Sequence, residues 1–132
     1  MKVSLVLSDD LKTWQRINVA AFLVSGIVGA HRELIGQPYV DHLGNTYNAL
    51  LIEPIAILVA DRQTLCEIHM RAVNQRLRVS LFVEGMFDTM DDESNRRAMK
   101  QASLSQGTIV GVGLNGDKKT VDKITKDARL HP

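Results

Sequence analysis

The chain has 132 residues, 16 Lys plus Arg against 15 Asp plus Glu, and 45% hydrophobic residues, enough for one domain with its own core and too few for two. A formal charge of +1 argues against strong overall attraction to nucleic acid or acidic membrane, and the lone Cys66 excludes an intramolecular disulfide. Three prolines, nine glycines and the absence of low-complexity tracts exclude collagen-like and disordered chains.

Val3–Leu7 reads as a buried strand, which Asp9 and Asp10 bring to an end. A second apolar run, Ile17–Ala30, lacks the basic lead-in of an export signal and is shorter than the roughly 20 residues that span a bilayer. The expectation is a cytoplasmic protein without membrane contact. Thr13 stands at an N-cap position, and Trp14, Ile17, Ala20, Ala21, Val24 and Val28 recur at helical spacing. That run is apolar nearly all round, which predicts a central, almost inaccessible helix. Pro38-Tyr39-Val40 and Thr46-Tyr47-Asn48 flank Leu43-Gly44-Asn45, and Gly-Asn is a hairpin signal, so Gln37–Ile52 is read as a small excursion.

Ile55–Val59 is the second core strand, and Asp61 caps a helix with Leu65, Ile68, Ala72 and Leu77 facing inward. Val79–Val83 is the third strand, Asp91 or Asp92 opens a helix over Glu93–Ser103, and Thr108–Val112 is the fourth strand. Asp117 caps a last helix with Val121, Ile124 and Ala128 inward. Residues 1–132 are thus read as a single α/β domain, with about four strands in a mixed or mostly parallel sheet and helices on both faces.

Gly111-Val112-Gly113-Leu114-Asn115-Gly116 has the spacing of a dinucleotide-binding fingerprint. That motif needs a second strand and an acidic residue about twenty positions further on, and too little chain follows in this sequence. The glycines instead let a strand lie close to a helix or a ligand. Cys66 and His69 have no second ligand pair, and Asp88, Asp91, Asp92 and Glu93 lack the spacing and glycine of a calcium loop. No metal and no cofactor are expected. No nucleophile elbow or Ser–His pairing is visible. Lys119, Lys123 and Lys126 read as a solvated face diluted by Asp122 and Asp127, with RNA binding as the alternative.

Several strings carry a family resemblance: the first strand with its polar exit (Lys2–Asp10), the small-residue helix (Trp14–Val28), and the unit Ile109-Val110-Gly111-Val112-Gly113 followed by Val121-Asp122-Lys123-Ile124-Thr125. Their order resembles the second type of peptidyl-tRNA hydrolase. Gln15-Arg16-Ile17-Asn18-Val19-Ala20-Ala21, Met86-Phe87-Asp88-Thr89 and Glu93-Ser94-Asn95-Arg96 resemble more closely the branch of that superfamily classed as a domain of unknown function. The resemblance covers nearly the whole chain and implies the hydrolase-like fold. Where the hydrolases place a catalytic and RNA-binding lysine after a glycine, this chain has Trp14-Gln15, and Phe22 stands at the family's histidine. Their Asp-Ala-Gly-Arg/Lys-Thr-Gln signature corresponds to Glu84-Gly85-Met86-Phe87-Asp88-Thr89. A neutral amide replaces the positive group the reaction would use.

The site expected from this resemblance is a pocket at the start of the first helix that takes a small or peptide-like ligand, with Gln15, Asn18, Glu84, Thr89 and Asn95 as polar wall and Trp14 and Phe87 as apolar lining. Two alternatives stand beside it. One is an aminoacyl-ester hydrolase acting on tRNA, with Arg16, Arg96 or Arg97 in place of the missing lysine. The other is a homodimer in which the Gln37–Tyr47 excursion and the apolar first helix form the interface.

Overall fold

Strands and helices alternate along the computed structural model, which describes residues 1–132. In chain order they are β1 (Lys2–Ser8), α1 (Thr13–Ala30), β2 (Tyr39–Val40), β3 (Thr46–Tyr47), β4 (Ile55–Ala60), α2 (Arg62–Asn74), β5 (Ser80–Val83), α3 (Asp92–Gln101), β6 (Ile109–Gly116), α4 (Lys118–Ile124) and β7 (Arg129–Leu130). Two 3-10 turns, Arg32–Leu34 and Glu84–Asp88, follow α1 and β5.

Five strands form one sheet in the order β5-β6-β1-β4-β7. β1 and β4 run parallel, with Val3 opposite Ile55, and the other three pairings are antiparallel. The domain is α/β with a mixed sheet, as expected, but with a fifth strand and a single parallel pair. β7 is two residues long, too short for any alternation to announce it. The excursion forms the β2–β3 hairpin, with Gly44 at φ 88° in its turn.

Alternate residues of the strands divide the core between two faces. On one, Val3, Leu5 and Leu7 of β1 pack with Val19, Leu23 and Ile27 of α1. On the other, Val6 packs with Leu65, Ile68 and Ala72 of α2 and Ile124 of α4. Asp61 and Asp117 cap α2 and α4 by accepting from the backbone N–H of Thr64 and Thr120. α4 ends at Ile124, so Ala128 meets the core from the turn beyond it, and Lys126 is not helical.

The glycine string is strand throughout, not a turn. A Cβ on Gly111 would lie 2.5 Å from Val19 Cγ1, and one on Gly113 would lie 3.1 Å from Leu23 Cβ. These glycines seat α1 against the sheet. α1 is not the inaccessible helix its composition predicts: only Val19, Leu23 and Ile27 are buried, whereas Ile17 is 68% exposed, Trp14 57% and Phe22 50%. α1 crosses the central strands of this face and touches them through one narrow i, i+4, i+8 stripe. Its flanks remain open, one toward α3 and the other toward β4, where Ile55 and Ile57 are partly uncovered. Lys12, not Thr13, occupies the N-cap position. No helix is long and apolar enough to cross a membrane.

Candidate ligand-binding groove

The flank of α1 that faces α3 borders a groove. Trp14, Asn18 and Phe22, at i, i+4 and i+8, form one wall. Phe82 of β5 lies beneath, and Met86, Phe87 and Thr89 of the second 3-10 turn and Asn95 of α3 form the other wall. This section encloses about 450 Å³. Past Phe22, Phe82, Met86, Asp92 and Asn95, which line both sections, the groove widens to about 910 Å³ alongside Gly26, Ile27 and Asn115. Sites of several hundred Å³ with mixed apolar and polar walls are the size small molecules occupy.

All three phenylalanines and the only tryptophan of the chain meet here. Trp14 stands edge-on to Phe87 with ring centroids 5.8 Å apart at 73°. Phe87 leans on Phe82 at 5.2 Å, and Phe82 on Phe22 at 5.8 Å. Aromatic pairs in such tilted and edge arrangements contribute about 0.5–1.5 kcal/mol each beyond their burial. They also fix the turn between β5 and α3 against α1. The Thr89 hydroxyl donates to the Met86 carbonyl at 2.9 Å or to Asn95 Oδ1, one proton serving one acceptor at a time. Asn18 is exposed and its amide is engaged by no protein group, which leaves a donor and an acceptor open on the α1 wall.

Of the residues the sequence singles out, the structure brings together Trp14, Asn18, Phe87, Thr89 and Asn95. Gln15 and Glu84 lie outside the groove. Gln15 Oε1 accepts from Lys12 N at 2.9 Å and steadies the first turn of α1. Glu84 pairs with Arg62 at 3.0 Å, and Arg62 also meets Asp10 at 3.0 Å and donates to Gly107 O at 2.9 Å. Arg62 thereby ties together the exit of β1, the start of α2, the exit of β5 and the loop before β6. Burial pushes the Asp10 carboxyl up, but hydrogen bonds from Ser8 and Arg62 outweigh it and hold the group below its ordinary range. Its anionic form is therefore the one the cluster is built around.

No three His, Cys, Asp or Glu side chains gather into a metal-binding group. Cys66 is half-buried and its thiol donates to Leu104 O at 3.1 Å, while burial lowers the pKa of His69 on the same helix. Both sit on α2, away from the groove. Lys119, Lys123 and Lys126 are exposed. Sequence reasoning missed Phe82 and Asn115 as groove residues. Phe82 reads as an ordinary strand residue, and Asn115 in a glycine-rich string reads as a turn.

The fold and groove define a single-domain α/β protein with an aromatic-lined cleft between its first helix and the β5–α3 connection. The chain belongs to the family described as "Protein of unknown function (DUF2000)", whose model matches residues 1–132. It is similar to the solved structure of a protein of unknown function from Agrobacterium tumefaciens strain C58, with 45% identity, a TM-score of 0.96, and coverage of 99% of this chain and 97% of that one. No functionally curated protein matches the chain. Neither description names an activity.

Proposed function

We propose that this protein binds a small or peptide-like ligand in the groove that begins at Trp14. The observation that carries the reading is the convergence of every phenylalanine and the sole tryptophan on one open groove beside the Asn18, Thr89 and Asn95 polar groups. Trp14 and Phe22, each about half exposed, forgo roughly half of the 1.5–3 kcal/mol that full burial of a large apolar side chain supplies, and a ligand that covers them recovers it. A thermal-shift screen of metabolites and short acylated peptides tests this, with Trp14 fluorescence as the site reporter. A stabilising compound that also changes Trp14 emission is the expected result. Stabilising compounds that all leave both Trp14 and the groove amides of Asn18, Asn95 and Asn115 unaffected would move the site elsewhere.

The resemblance to the second type of peptidyl-tRNA hydrolase enters this reading as a proposal about arrangement: the ligand would occupy the region where those enzymes hold the end of their substrate. Turnover is not part of it. At the lysine position stands Gln15, whose side-chain oxygen is already engaged by the backbone, and tRNA is the less favoured partner. A cytoplasmic location also belongs to this reading.

A homodimer is the second reading, favoured by the other flank of α1. Ile17 is exposed on that flank, and Tyr39, Val40, Leu43 and Tyr47 of the hairpin, Leu50 and Ile52, and Ile55 and Ile57 are exposed as well. Apolar exposure of this kind marks interfaces. The expected result is a dimer in sedimentation analysis that Ile17→Lys converts to monomer. A wild-type monomer at high concentration contradicts it.

A further inference from the structure

The wide end of the groove contains a polar group with nothing to bind. Asn115, on β6, is 5% exposed, and neither its Oδ1 nor its Nδ2 has a hydrogen-bond partner. An unsatisfied buried donor or acceptor is costly, so two on one side chain are a burden that native proteins seldom carry without a reason. Ser80, which also lines this section, lies opposite Gly113 in the sheet, and Arg78 lies two residues further along, on the side of Asn115. Arg78 is exposed and engaged in no hydrogen bond or ion pair, and so is Lys100 on the α3 side of the same section. The remaining lining cation, Arg96, is already paired with Asp92, the one acid that lines the section.

We infer that this end of the groove takes a small organic anion whose ring or chain presents an amide-type edge, a neighbouring N–H and C=O, to Asn115. A carboxamide offers one acceptor and two donors in a plane, so adjacent donor and acceptor atoms satisfy both of its polar ends at once. The anionic group of the ligand lies toward the mouth, where Arg78 and Lys100 supply unpaired positive charge. Phe22, Ile27 and Met99 line the space between, which suits a flat apolar body. The amide atoms are covered in the unliganded groove, so binding includes a movement of lining side chains. The inference rests on the groove being a binding site and adds the chemistry of its occupant.

Isothermal titration with four probes tests it: orotate, which has the amide edge and a carboxylate; uridine 5′-monophosphate, which has the edge and a phosphate; uridine, which has the edge alone; and ribose 5-phosphate, which has the anion alone. Orotate or the nucleotide is expected to bind at least about tenfold tighter than the two single-feature probes, each lost contact being worth roughly one factor of ten. Which of the two binds tighter distinguishes carboxylate from phosphate. Asn115→Leu is expected to weaken the best probe about tenfold or more, and Asn115→Ser serves the same purpose if the leucine variant does not fold. Arg78→Ala, a change at an exposed position, is expected to weaken the anionic probes, to leave uridine unchanged, and to flatten the salt dependence. Equal binding of all four probes, or affinities indifferent to Asn115 and Arg78, overturns the inference. If no probe binds while a screened compound still reports at Trp14 and ignores Asn115→Leu, the groove reading stands and this inference falls. If neither probes nor screened compounds bind, both fall.

Discussion

Gly111→Ala is the sharpest test of how β6 and α1 fit together. The added methyl would sit 2.5 Å from Val19 Cγ1, 3.0 Å from Leu23 Cδ1 and 3.7 Å from Leu7 Cδ2. The first separation is far inside van der Waals contact. Val19 cannot swing away, because a β-branched side chain in a helix has one strongly preferred rotamer, so α1 has to lift or tilt. Overpacking of this kind costs about 1–3 kcal/mol. Gly111 does not have a positive φ, so alanine fits its backbone and recovers about 0.4–1 kcal/mol by restricting the unfolded chain. The net loss is about 1–2 kcal/mol. With an unfolding entropy of about 2.1 cal/mol/K per residue, a chain of 132 residues then melts about 4–7 °C lower. Differential scanning calorimetry of Gly111→Ala, Val19→Ala and the double variant measures this as a cycle. The double variant is expected to lose at least about 0.5 kcal/mol less than the sum of the single losses, because removing the Val19 methyl groups makes room for the new one. Additive losses, or a Gly111→Ala protein as stable as the parent, would refute this account of the glycines.

Asn18→Ala is expected to weaken a compound found through Trp14 fluorescence by about 1–3 kcal/mol, the worth of a hydrogen bond from the Asn18 amide that is lost, and titration of the variant checks this. Incubation with peptidyl-tRNA is expected to leave the ester intact, since Gln15 offers no group to move a proton; release of free tRNA at a rate that depends on enzyme concentration would contradict it. The Asp41 carboxylate accepts from Tyr47 Oη, Asn45 Nδ2 and N, and Leu43 N, the Tyr47 bond leading the shift, and its pKa falls to about 2. The folded value lies below the ordinary carboxylate value of about 3.9, so the hairpin contacts are at full strength above that value and weaken as pH falls through about 2. An NMR titration placing Asp41 at its ordinary value would contradict those contacts.

Elements with a cap and a clear period were legible in the sequence. Asp61 with Leu65, Ile68 and Ala72 specifies α2 both as a helix and by its buried face. Leu43-Gly44-Asn45 likewise marks the hairpin turn. α1 misleads because composition does not say how many neighbours a helix has: Ile17 and Phe22 look like core residues and instead lie on the two open flanks of a helix packed by one stripe. β6 extends through Gly116 because its glycines answer to the helix above them, a tertiary reason that local propensity does not contain. The groove was half legible. Trp14 and Asn18 share a helical face, and Phe87, Thr89 and Asn95 follow one strand closely. Gln15 is adjacent to Trp14 in the chain but points along the helix end, and Glu84 is drawn to Arg62, a contact across 22 positions that no motif encodes.

The central claim is that the groove between α1 and α3 is where this protein meets its ligand. The most direct measurement is a ¹H–¹⁵N correlation spectrum of the labelled protein, recorded with and without the most stabilising compound from the screen. The account predicts that the shifts concentrate on the Trp14 indole N–H and the side-chain amides of Asn18, Asn95 and Asn115. Shifts confined to the Cys66–Leu104 side of α2 or to the β2–β3 hairpin, with those four groups unmoved, would contradict it.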